Sequence, residues 1–115
     1  MKRWFLACLI GSLAGCTTTG DIMQRAPVAQ FTSTKPAAQV SGCIAPRIFK
    51  GWGQSKVTPS GAGSMIIVSG SAWGNPMAII DVQPGSPGAN IAIRRGGMVS
   101  DHVFNDIVAA AAACR

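Results

Sequence analysis

Residues 78–83 read AIIDVQ, and this run decides the fold. Ala78, Ile80 and Val82 fall on one face of an extended chain, and Asp81 and Gln83 on the other, the alternation of a strand buried on one side. The flanking sequence repeats the signal. In residues 91–94, IAIR, Ile91 and Ile93 point inward. In residues 65–68, MIIV, a continuous apolar run is bounded by Ser and Gly. Turn chemistry separates the runs at Gly74-Asn75-Pro76 and Pro84-Gly85-Ser86-Pro87-Gly88. A weaker strand over residues 54–58 is expected at an edge, because Pro59 has no N–H to give to a second neighbour.

Helical signals flank these strands. Ser41 to Lys50 reads as a short helix with Cys43, Ile44, Arg47 and Ile48 sharing a face, stopped by Gly51 and Gly53. Pro46 fits only a first turn, so the start is placed as late as Ala45. Near the C-terminus Ser100 is suited to cap a helix, Asp101 complements its dipole, and Val99 and Phe104 hold the staple positions. Val103, Ile107, Ala110, Ala111 and Cys114 then line one face. The expected fold class is α+β, a small antiparallel meander of three to four strands packed against an N-terminal short helix and a C-terminal helix.

The first sixteen residues, MKRWFLACLIGSLAGC, have another purpose. Lys2 and Arg3 form a positive start. Trp4 to Leu13 form an apolar stretch too short for a bilayer, which needs about 20 residues. Leu13-Ala14-Gly15-Cys16 resembles the bacterial lipobox. That resemblance implies removal of residues 1–15, thioether lipidation of Cys16, and acylation of the amine so exposed. Thiolate nucleophilicity suits the first transfer, and two or three chains make a stable anchor. Cys8 has too little apolar sequence before it and is expected to leave with the signal. In a Gram-negative host, Thr17 in place of Asp after the lipidated residue implies the outer membrane, on its periplasmic face.

Residues 16–40 are then expected to be the lipidated Cys and a flexible tether rich in Thr, Ala, Pro and Gln, spanning roughly 25–30 Å, with some docking near Phe31. Residues 41–115 are the expected folded domain. Cys43 and Cys114 bracket it and are the remaining cysteines, so in an oxidising compartment they are expected to form a disulfide.

Composition narrows the function. Charged residues are 12% of the chain, against about 25% in an average protein. Loss of Lys2 and Arg3 lowers the net charge from +6 to +4. The remaining bases are scattered without interleaved aromatics, which argues against nucleic acid as a partner. His102, the sole histidine, shares one helix with Ser100 and Asp106. Consecutive turns of a helix cannot aim nucleophile, base and orienting acid in series, so no catalytic residue is assigned. Neither a phosphate loop nor a metal-ligand spacing occurs, and no cofactor or metal is expected. Trp52 and Trp73, beside glycines in connecting segments, and Arg94-Arg95 with Gly96-Gly97 are the candidate ligand or partner surface, the arginines as an anion-binding corner. Against this stands the plainer reading, in which the tryptophans cap the ends of the core and the arginines protect a sheet edge.

The layout resembles small, functionally uncharacterised lipoproteins of proteobacteria through the LAGC box, Gly42-Cys43, the Ala-Ile-Ile-Asp-Val strand, the Gly/Ser turn after it, and the closing helix ending in Cys. The expectation is a non-catalytic periplasmic binding or adaptor module held to the membrane through Cys16, with an envelope protein, peptidoglycan or lipopolysaccharide as partner. The alternatives are a structural envelope lipoprotein without a specific ligand, and an enzyme or enzyme inhibitor.

Overall fold

In the computed structural model the chain is described over residues 19–51, 54–70, 76–97 and 99–115, with the side chains of residues 49–51 left aside. Its elements in order are α1 (Thr19–Met23), β1 (Ala29–Ser33), α2 (Ala37–Gly51), β2 (Gln54–Ser60), β3 (Gly63–Ser69), β4 (Pro76–Pro84), β5 (Ala89–Arg95) and α3 (Asp101–Ala112). The strands form one antiparallel sheet in the order β1-β5-β4-β3-β2.

The α+β class and the antiparallel sheet agree with the expectation from sequence, and the weak strand over 54–58 is present as edge strand β2. The strand count does not agree, because the sheet has five strands and not three to four. The fifth is β1, which pairs with β5 from Ala29↔Ile93 to Ser33↔Ala89. The expected flexible tether is therefore corrected over its described part, residues 19–40. Residues 29–33, AQFTS, alternate in the manner of a strand: Ala29 and Phe31 pack against the core while Gln30 and Thr32 are exposed. The Val28 N–H extends the pairing by donating to the Ile93 carbonyl at 2.8 Å.

The main core lies between the sheet and α2 with α3. Ile66, Val68, Ala78, Ile80, Val82, Ala89, Ile91 and Ile93 face it from the strands, all buried. Val40, Ile44 and Ile48 enter from α2 at four-residue spacing, and Phe104, Ile107 and Ala111 from α3. Two side-chain hydrogen bonds hold α2 in place: Ser41 Oγ to Ser64 Oγ at 2.6 Å, and Ser55 Oγ donating to the Ala45 carbonyl at 3.1 Å. A disulfide joins Cys43 of α2 to Cys114 just beyond α3, with Cα atoms 5.7 Å apart.

Helix α2 is longer than its expected span. It starts at Ala37, because Ser33 Oγ accepts the Lys35 N–H and the Pro36 carbonyl accepts from Gln39 and Val40, closing a first turn before Ser41. Pro46 is thus inside the helix. It lies on the exposed side, and the carbonyl that loses its helical partner belongs to Gly42, itself an exposed residue.

Helix α3 is capped as expected, with Ser100 Oγ accepting the Val103 N–H at 3.3 Å. Ser100→Ala should lower stability by about 1 kcal/mol in urea unfolding, with Ser100→Asp restoring most of it. In the hairpin joining β2 to β3, Gly61 has φ +59°, a backbone angle that glycine adopts without strain.

On the second face of the sheet α1 packs over β4 and β5. Ile22 and Ile79 are both fully buried outside the main core, and Ile79 alternates away from Ile80. Residues adjoining the expected anchor are therefore part of the folded body.

Candidate functional site

Strand β5 carries Arg94 and Arg95, and the pleat sends adjacent side chains to opposite faces. Arg94 points to the face on which α1 packs. Its Nε donates to the Arg25 carbonyl at 3.0 Å, and its Nη1 lies 3.9 Å from Asp81 Oδ2, with both side chains only 16% exposed. That separation is an ion pair without a hydrogen bond, and Nη1 is buried with no hydrogen-bond partner among the described residues. Arg25 answers by donating from Nη1 to the Arg95 carbonyl at 3.2 Å. This reciprocal clasp fixes the chain after α1 to the end of β5.

Arg95 points to the helix layer. Its Nη1 meets Asp101 Oδ1 at 2.6 Å, its Nη2 donates to the Val99 carbonyl at 2.7 Å, and the guanidinium sits 5.4 Å from the Phe104 ring centre. Gly96 allows the close approach of this corner to β4, since a Cβ there would collide with the Pro76 carbonyl oxygen, and its N–H donates to the Met77 carbonyl. The two arginines therefore do not form the single anion-binding corner expected from their adjacency. Each holds a neighbouring segment of backbone.

Trp52 and Trp73 lie outside the described residues, as does Cys16. His102 Nε2 approaches Asp106 Oδ2 at 3.6 Å across one turn, with the histidine 88% exposed. Ser100 is committed to its cap, so Ser100, His102 and Asp106 do not form a relay.

What the fold does assemble is a groove of about 680 Å³ beside β1. Gln30 and Thr32 of β1 and Asn90, Ala92 and Arg94 of β5 line it. Arg115 joins them, its guanidinium 5.4 Å from the centre of the Phe31 ring. The alternation explains the lining, because Gln30↔Ala92 and Thr32↔Asn90 are paired positions that bring amide and hydroxyl groups to one face around a small floor residue. Such a set offers donors and acceptors together with positive charge, chemistry suited to polar hydroxyl- or phosphate-bearing ligands. Sequence patterning does not single out Gln30 or Thr32 as site residues. The signal they carry is the period-two alternation of AQFTS, obscured by the surrounding Thr, Pro and Ala.

No family model, curated protein or solved structure matches this chain. The functional reading therefore stands on its own residues.

A second, more apolar groove of about 410 Å³ runs between α2 and β2, lined by Ala38, Gly42, Ala45, Pro46 and Val57 among others. Val57, 49% exposed, is one of the large apolar side chains left in solvent. No described helix is long and apolar enough to cross a membrane.

Proposed function

We propose that this chain is a bacterial lipoprotein, cleaved before Cys16 and anchored through lipid on that residue, whose folded part is a non-catalytic binding or adaptor module at the periplasmic face of the outer membrane. The observation that carries the reading is the run LAGC at residues 13–16, preceded by a basic start and a short apolar stretch. The groove beside β1 supports the second half, since its amides, hydroxyl and guanidinium groups suit contact with a polar envelope component.

The anchor is tested by growing cells with an alkyne-bearing fatty acid. Wild-type chain should incorporate the label and sediment with membranes. Cys16→Ser should lose the label entirely and remain as a full-length precursor, whereas labelling equal to wild type would remove Cys16 as the acceptor. The binding role is tested by a photo-crosslinking residue at Gln30 in intact cells. One adduct of reproducible mass is expected, and a smear with no dominant species would leave the structural-lipoprotein alternative in its place.

A further inference from the structure

Thr19 follows Cys16 by three residues, a length that spans at most roughly 11 Å when fully extended. With Cys16 in the membrane, the reading proposed above and on which this inference rests, α1 begins within that distance of the acylated residue. A tether of twenty-odd residues would leave orientation free; a leash this short does not. The end of the leash is also attached at a particular place. Helix α1 packs on β4 and β5, inner strands of the sheet, through the fully buried Ile22 on the side of Ile79. The Arg25–Arg94 clasp and the Val28–Ile93 hydrogen bond then tie the following residues to β5.

We infer that the α1-bearing face of the sheet rests on the phospholipid surface, with α2 and α3 directed away from it. A contact point over inner strands favours this face-down arrangement over an edge-on one. The exposed side chains of that face suit a headgroup layer. Gln30, Thr32, Gln54 and Asn90 are uncharged hydrogen-bonding groups, and Lys56 brings an ammonium. Among the described residues charge is near balance on both sides, with Arg25, Lys56 and Arg94 against Asp21 and Asp81 here, and Arg47 and Arg95 against Asp101 and Asp106 on the helix side. The short leash and the uncharged hydrogen-bonding groups therefore carry the orientation. The groove beside β1 opens on this face through Gln30, Thr32 and Asn90, so its occupant is drawn from the headgroup layer.

The test uses the full lipidated chain in phosphatidylcholine vesicles containing a headgroup spin-labelled lipid. A fluorescent amino acid is placed either at Lys56, on the α1 side, or at Arg47, on the exposed side of α2. Quenching at position 56 should exceed that at position 47 at least twofold, and Ile22→Asp, which detaches α1, should erase the difference. Equal quenching, or stronger quenching at 47, in chain whose mass shows lipid on Cys16 overturns the orientation alone. A mature chain whose mass lacks lipid overturns the anchor reading and the orientation with it.

Discussion

Replacing both Cys43 and Cys114 with alanine should lower stability by about 4 kcal/mol, the chain-entropy value for a cross-link closing a loop of about 70 residues. The cysteines are 71 residues apart and connect α2 to the chain just after α3, so nearly all of the sheet lies within the loop. In the unfolded chain the bond removes a large set of conformations. In the folded chain it draws together two helices that share one core. For a domain of this size the loss corresponds to a fall of roughly 15–30 °C in melting temperature. Thermal unfolding by circular dichroism checks it, with dithiothreitol as the control. The reductant should lower the wild-type midpoint and leave the double variant where it is. A shift under about 5 °C in the variant would mean that the core alone holds the helices against the sheet.

Ile80→Ala should cost 2–5 kcal/mol, approximately the range for removing a large aliphatic side chain from a packed core. Ile80 is fully buried on β4, the middle strand of the sheet, opposite Ile66 on one side and Ile93 on the other. Both neighbours are themselves buried, and the helices close the layer above, so little can move to fill the space. Urea unfolding should show the whole transition moving to lower denaturant with an unchanged slope. Val57→Ala, at a half-exposed position on edge strand β2, provides the contrast with an expected change of about 0.5 kcal/mol or less. If the two variants were equally stable, Ile80 would not be part of a rigid core.

Elements with a strong local period are legible in the sequence itself. AIIDVQ and IAIR announce the faces that β4 and β5 present, and Ser100 with the apolar spacing after it announces α3 and its cap. Pro59 marks an edge, since it tolerates one hydrogen-bonded neighbour and β2 has one. Where local cues conflict, the sequence misleads. Pro46 argues for a late start to α2, but the buried row of Val40, Ile44 and Ile48 stabilises the helix through one missing hydrogen bond. AQFTS is too brief and too polar to declare itself, and becomes a strand because β5 offers it a free edge.

The candidate site shows the same division. Composition and spacing along the chain nominate Arg94 and Arg95, two adjacent cations, and pair Cys43 with Cys114 by exclusion. They do not reveal that the pleat turns the arginines to opposite faces of different character, because that depends on which side of the sheet α1 and α3 cover. Nor do they bring Gln30 and Thr32 beside Asn90, residues some sixty positions apart that meet through strand pairing.

The LAGC run returns the question to the N-terminus. Its reading needs no fold, since residue types and their order alone carry the proposal made for Cys16. What the proposed anchor would do to the domain is a matter of tertiary structure. Ile22 is buried only because α1 packs on β4 and β5, on the face of the sheet away from the main core. Burial of Ile22 as α1 packs on β4 and β5, with the Arg25–Arg94 clasp beside it, converts an expected tether into part of the domain. A non-local interaction of this kind leaves no period in the sequence to read.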